Sequence, residues 1–207
     1  MLGQRAEVGI DTVLNIAGFD ASLANLESNL AAWISRALAA SDLMTGLSLL
    51  RQNLEQAIFE GRISLPARFS ASRADHYARR LIFADPRSGV SVLAMVWAPG
   101  QGTPLHDHSG LWGVEAVLAG EIETVPFELT REHNGQYFFQ SGAAERVTAG
   151  STSYLMPPFE YHVTRNVGSQ VAITLNIYAE EMSACNIFLP NGLGSYTRER
   201  RLLSYSD

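Results

Sequence analysis

The chain has 207 residues, 46% hydrophobic and 17% charged, an ordinary globular composition with enough length for one domain-sized core. A net charge of -6 and a sequence pI of about 5.4 exclude a basic platform for phosphates, so nucleic acid is not an expected partner. Cys185 is the single cysteine, which excludes a disulfide framework, and no apolar run reaches the ~18 residues of a membrane span. A cytoplasmic protein without membrane contact is therefore expected.

Residues 1 to about 18 are weakly patterned. From Asp20 to about Glu60 the spacing is helical. Leu23, Leu26, Leu30, Trp33, Ile34, Ala37 and Leu38 recur at steps of three and four and form one apolar stripe. Ser41-Asp42 breaks the run and can cap a second helix, whose stripe is Leu47, Leu50, Leu54, Ala57 and Ile58. Gly61 can stop that helix. A further short helix is expected over Ser72 to Tyr77. His76 falls in this helical context and His133 in a loop, and both are expected at the surface.

After Arg79 the texture changes to short β-branched segments separated by turn residues. "RRLIFADP" and "GVSVLAMVWAPG" read as strands. "LWGVEAVLAGEIETVPFEL" reads as two strands hinged at Ala119-Gly120. "QYFFQSG", "ERVTAGSTSYLMPP", "YHVTRN" and "VAITLNIYAE" continue the series. Such a run predicts a mainly β fold, a barrel or two-sheet jelly roll. Residues 1–75 read as a helical segment packed on it and residues 76–207 as the barrel, one domain overall. The basic cluster "YTRERR", Tyr196 to Arg201, reads as a solvated C-terminal face.

"PGQGTPLHDHSGLWG", Pro99 to Gly113, carries the chemistry. Residues two apart in a strand face the same way, so His106 and His108 can chelate one ion. Imidazole suits Fe, Zn, Cu and Ni, and three ligands with an open position mark a catalytic site. Gly100, five residues and then His106-x-His108 resemble the first half of the first cupin motif. In "PPFEYHVTRN", Pro157, His162 and Asn166 resemble the second, although Phe159 stands where that motif has Gly. His162 becomes the third expected ligand. The carboxylate that most cupins place four or five residues after the second histidine is missing, because Trp112 and Gly113 stand there. Glu115 is left as a fourth ligand through a local bulge, a polar group inside the pocket, or a salt-bridge partner of Arg79 or Arg80.

From about Tyr77 to Phe188 the chain resembles the thiol dioxygenases, the cupins typified by cysteine dioxygenase and 3-mercaptopropionate dioxygenase. The resemblance implies a cupin double-stranded β-helix, N-terminal helices in keeping with it, and three histidines, His106, His108 and His162, on Fe(II). It implies a small thiol, such as cysteine or a mercapto-carboxylate, and O2 as substrates and a sulfinate as product. Gly113 falls where the mammalian enzyme has the cysteine of its Cys–Tyr crosslink, so no such crosslink can form. Arg79, in "YARRL", falls on the arginine that binds the substrate carboxylate, with Arg80 as the adjacent alternative. Tyr178 falls on the active-site tyrosine, with a catalytic and substrate-binding role. Cys185 falls on a family cysteine that is no metal ligand and also reads as a small buried apolar residue. Thr174, Asn176 and Tyr178 stand where the family has Ser-x-His-x-Tyr, and the Asn puts the usual thiols in doubt. Thr174, Asn176, Glu115 and Trp112 are expected around the site; Trp97 and Trp112 fit either its aromatic surroundings or core packing.

The same three histidines also suit Zn, Ni or Mn in a cupin isomerase or hydrolase. The altered Thr174/Asn176/Tyr178 set and Phe159 suit a non-catalytic ligand-binding cupin. A homodimer is left open.

Overall fold

In the computed structural model, which describes residues 11–192 and 194–206, two helices lead the chain. α1 (Asp11–Leu38) and α2 (Leu43–Phe59) turn at Ser41-Asp42, where the Asp42 carboxylate accepts the Thr45 backbone N–H at 2.9 Å. This is the expected N-cap. α1 starts nine residues ahead of the expected Asp20, because its backbone helix precedes the apolar stripe that marks it in sequence. The weakly patterned residues 1–10 lie outside the described residues. The stripe residues Leu23, Leu26, Leu30, Trp33, Ile34 and Ala37 are buried, as are Leu47, Leu50, Leu54 and Ala57. Leu38 is the exception at 46% exposure, since it ends α1 just where the chain turns away. Each fully buried leucine here contributes about 2 kcal/mol of transfer free energy.

The short helix expected over 72–77 is absent. A one-turn α3 (Ala67–Ser70) forms earlier, entered at Pro66, and buries Phe69. Residues 71–77 run on without helix, with Arg73 and His76 both paired to Asp75.

One antiparallel sheet holds β1 (Ala78–Ala84), β2 (Ser91–Trp97), β4 (Gly113–Ala119), β8 (Thr152–Leu155) and β10 (Ala172–Tyr178) in the order β1-β2-β10-β4-β8. A second holds β3 (Leu105–His106), β5 (Glu121–His133), β6 (Gln136–Ser141), β7 (Glu145–Thr148), β9 (His162–Asn166), β11 (Ala184–Pro190) and β12 (Tyr196–Leu202). Its order is β6-β12-β11-β3-β9-β5-β7. The chain crosses between sheets from β2 to β3, β4 to β5, β8 to β9 and β10 to β11. The quartets β2-β10-β4-β8 and β3-β9-β5-β7 interleave as the two Greek keys of a jelly roll, the double-stranded β-helix expected. The basic tail "YTRERR" is strand β12, paired to β11, with most of its residues exposed.

Three packing zones follow from strand alternation. Ile82, Val92, Ala94, Val114, Ala116, Leu175 and Ile177 leave the first sheet on its outer face and pack under the helices. Leu93, Met95, Trp97 and Tyr178 point the other way, into the barrel. Tyr137, Phe139, Tyr161, Phe188 and Tyr196 form an aromatic cluster that includes Leu105. Asn166 of the second motif is structural. Its Nδ2 donates to the Trp97 and Gln170 carbonyls, both at 2.8 Å, and ties the end of β9 to the end of β2. Among the described residues no helix is long and apolar enough to cross a membrane.

The hinge between β4 and β5 is Gly120, at φ +76°. A Cβ there would meet the Ala172 Cα at 2.6 Å and the Val171 carbonyl oxygen at 2.7 Å. Gly120→Ala combines left-handed strain with a backbone clash. It is expected to cost at least ~2 kcal/mol, read as a lowered urea midpoint at an unchanged slope.

Candidate metal centre

β3 and β9 bring His106 and His162 opposite one another as partners in an antiparallel pair. His108 lies just past the end of β3, and its backbone N–H donates to Glu160 Oε2 at 2.8 Å. The ring centroids are separated by 4.6 Å (His106–His162), 4.9 Å (His106–His108) and 5.0 Å (His108–His162). One ligating atom from each lies within 4.8 Å of the others, so the three could hold a metal ion together. Glu115 is not a member of the group.

The three rings suit a cation because two of them are held neutral. Burial, with His108 beside it, pushes the His106 pKa down to about 3. Burial, with the other two rings close by, pushes His162 well below the usual histidine range. His106 Nδ1 lies 3.1 Å from the Pro104 carbonyl, which only accepts, so Nδ1 carries the proton and Nε2 keeps a free lone pair. His108 Nδ1 and His162 Nδ1 are buried without a hydrogen-bond partner. His108 Nδ1 faces the Glu160 carboxylate at 3.6 Å, whereas His162 Nδ1 has no such neighbour; a buried imidazole nitrogen without a partner is rare, and a bound ion would satisfy it. The residues present fit a divalent ion of borderline softness.

Two buried carboxylates that the sequence analysis did not single out hold the ligand loop. Asp107, between the two ligand histidines, accepts the Asn186 backbone N–H at 2.8 Å, Asn186 Nδ2 at 2.7 Å and the Ser109 backbone N–H at 3.1 Å. Glu160 accepts from the His108 backbone, and its Oε2 stands 3.6 Å from His108 Nδ1. The sequence signal for both was an acidic residue next to or two positions before a histidine, in "HDH" and "EYH".

The inward face of the first sheet supplies the surroundings. Tyr178 is buried, with its ring 5.9 Å from that of His108, and burial pushes its phenol pKa up. Glu115 lies in the same layer, opposite Asn176 in the strand register. It forms no salt bridge to Arg79 or Arg80, and burial pushes its carboxyl up. It borders two small inner cavities, of about 30 and 40 Å³. Trp97 Nε1 donates to Thr174 Oγ1 at 3.3 Å, and Asn176 Nδ2 lies 2.8 Å from the same oxygen. Asn176 Oδ1 is buried without a partner. Turning that amide over lets the Thr174 hydroxyl donate to Oδ1 and gives an ordered Trp97–Thr174–Asn176 chain.

Trp112 does not belong to this layer. It packs half-buried against the core under the helices. Ser109 at φ +56° and Gly110 at φ +78° turn the chain before β4, so the alternation from His106 does not carry through to Trp112. Trp97, stacked on Tyr77 at 4.4 Å, is the tryptophan of the cavity.

Arg79 and Arg80 point to opposite sides. Arg79 pairs with Met95 and faces the barrel; Arg80 pairs with Ala94 and faces the helices, with its Nε and Nη1 buried and unpartnered. The Arg79 guanidinium donates to the Ser204 carbonyl at 3.3 Å and the Met182 carbonyl at 3.2 Å, and lies over the Tyr205 ring. It borders neither the inner cavity beside the histidines nor the cleft outside it. That cleft, of about 320 Å³, shares Tyr77, Thr103, His106, Cys185 and Leu203 with the inner cavity. His76, expected on a surface helix, lies in non-helical chain and borders the cleft; His133 is exposed at the end of β5. The Cys185 thiol is buried at their junction, and burial pushes it up to about 11.

The model of the family described as cysteine dioxygenase type I matches residues 20–190. The chain belongs to that family. Solved structures resemble it more distantly. A protein of Klebsiella pneumoniae with a double-stranded β-helix domain is 19% identical over 56% of this chain and 88% of its own, at a TM-score of 0.42. TT1209 from Thermus thermophilus is 19% identical over 57% of this chain and 96% of its own, at 0.43. An oxalate oxidase solved with glycolate is 23% identical over 57% of this chain and 59% of its own, at 0.41.

Two of the singled-out positions, Gly113 and Asn176, acquire a geometry. A Cβ on Gly113 would lie 3.1 and 3.2 Å from two carbons of the Tyr178 ring. Gly113 therefore sits directly against the Tyr178 ring, with no side chain that could bond to it. Asn176 bonds back along its own strand to Thr174.

Proposed function

We propose that this protein is an iron-dependent thiol dioxygenase, converting R–SH and O2 to R–SO2⁻ and one proton. The convergence of three imidazoles without a carboxylate among them carries this reading. An Fe(II) ion held by His106, His108 and His162 would supply open positions at which a thiolate and O2 meet.

The chain's own part is positional and electrostatic. Neutral His106 and His162 present lone pairs without having to lose a proton first. The Pro104 carbonyl and the Glu160 carboxylate orient His106 and the His108 segment. Tyr178 keeps its hydroxyl proton at neutral pH and can donate a hydrogen bond to oxygen or sulfur beside His108. The narrow inner cavity, walled by Met95, Trp97 and Met182, keeps bulk water away.

The test is oxygen uptake after anaerobic Fe(II) loading, with cysteine, 3-mercaptopropionate, mercaptosuccinate and cysteamine as candidate thiols. Consumption of one O2 per sulfinate is expected with at least one of them. No uptake with any, in metal-replete protein, sinks the thiol reading. Turnover of another substrate with Zn, Ni or Mn, independent of O2, would make the site that of a cupin isomerase or hydrolase.

A further inference from the structure

Glu115 and Thr164 are the two residues that border both inner cavities. On one side lies the cavity of about 30 Å³ beside His106, His162 and Tyr178. On the other lies a chamber of about 40 Å³, into which Thr164 and five further hydroxyl residues, Thr124, Ser151, Thr152, Ser153 and Thr174, converge. The strand register sets this up. Glu115 stands opposite Ser153 of β8, and Thr164 opposite Thr124 of β5. Ser153 is exposed, so the chamber reaches the surface, and it shares no residue with the outer cleft. The Thr164 hydroxyl is buried, at 4% exposure of the residue, without a hydrogen-bond partner. A buried hydroxyl left unpaired is costly, and a polar space of this size takes about one or two waters.

A thiol of ordinary pKa, about 8.5, arrives at neutral pH with its proton on. Once its sulfur fills the narrow inner cavity and its remainder the outer cleft, the way in is closed to water. The proton then needs another way out.

We propose that Glu115 and Thr164 form a proton exit from the inner cavity, through water in the chamber, to solvent at Ser153. This rests on the thiol dioxygenase reading and adds the route of the one proton that the reaction releases. The S–H bond breaks and its electron pair stays on sulfur. One oxygen of the Glu115 carboxyl takes the proton while the other gives one up to the chamber water, which the Thr164 hydroxyl holds in place. Glu115 ends the step as it began it, nothing is oxidised or reduced, and one proton reaches solvent for each thiolate formed. Glu115 carries the proton; Thr164 is a positioning residue.

The test mixes Fe(II)-loaded protein anaerobically with whichever of the four thiols is turned over fastest and follows proton release with an indicator dye. Wild type is expected to release one proton per thiol bound. Glu115→Gln keeps the shape but cannot pass a proton between its two ends. It is expected to release the proton at least ~10-fold more slowly, at unchanged thiol affinity and metal content, with a larger solvent isotope effect on turnover. Thr164→Val should slow release in the same direction, and Thr164→Ser should restore it. Release as fast from Glu115→Gln as from wild type overturns the exit and leaves the dioxygenase reading standing. So does a loss of thiol binding that accounts for the whole loss of rate, which marks a disturbed pocket. Should wild type turn over none of the thiols, the dioxygenase reading fails by itself, and a crystal structure decides the exit. Ordered water bonded to both Thr164 Oγ1 and Glu115 supports it; a dry chamber overturns it.

Discussion

His162→Ala is expected to abolish stable metal binding. His162 is buried at 3% exposure, faces His106 across the β3–β9 pair, and carries an Nδ1 with no other partner. Losing it leaves two imidazoles from one short segment, and two ligands do not define a closed site. Removing an outer-shell partner typically costs ~10–100-fold in metal affinity, and removing a ligand should cost more than the upper end of that range. Metal content after gel filtration, by mass spectrometry, is the readout. His162→Gln controls for packing, and circular dichroism confirms that the barrel persists. A His162→Ala protein with full metal occupancy would remove His162 from the ligand set.

Asp107→Ala is expected to damage stability and metal affinity together. Its carboxylate serves three donors, two on Asn186 of β11 and one on Ser109, while its own backbone N–H donates to the Asn186 carbonyl at 3.0 Å. It thus fixes the segment that carries both His106 and His108 to the neighbouring strand. Truncation orphans buried donors at ~1–3 kcal/mol each, so a total loss of about 3 kcal/mol is expected in chemical denaturation. Metal affinity, measured by chelator competition, should fall ~10- to 100-fold as the two rings lose their common register. Asp107→Asn keeps an acceptor and should fall between the variant and wild type. An Asp107→Ala protein with wild-type stability and affinity would show that the loop is held elsewhere.

How far the sequence could be read depended on whether local spacing or distant chain decided the outcome. The helices were legible because Leu30, Ile34, Leu47 and Leu50 repeat at helical steps and are buried accordingly. The jelly roll was legible as a class from its short strands and turns, down to the hinge at Gly120. The three-histidine cluster was legible because His106-x-His108 is a local pattern and His162 sits in a second one. Trp112 was misplaced because two consecutive residues at positive φ, Ser109 and Gly110, reset the alternation before β4. Arg79 faces the barrel as expected. Its guanidinium is engaged by Ser204 and Met182, more than a hundred residues downstream, which no local pattern announces.

The central claim is that the three-histidine centre puts both atoms of O2 onto a thiol sulfur. Single-turnover oxidation of the thiol under ¹⁸O2 in unlabelled water, with the product analysed by mass spectrometry, tests it most directly. The account predicts a sulfinate carrying both labelled oxygens, formed by the Fe(II)-loaded wild type and not by His162→Ala. A sulfinate with one or no labelled oxygen, a disulfide as sole product, or the same yield from His162→Ala would contradict it.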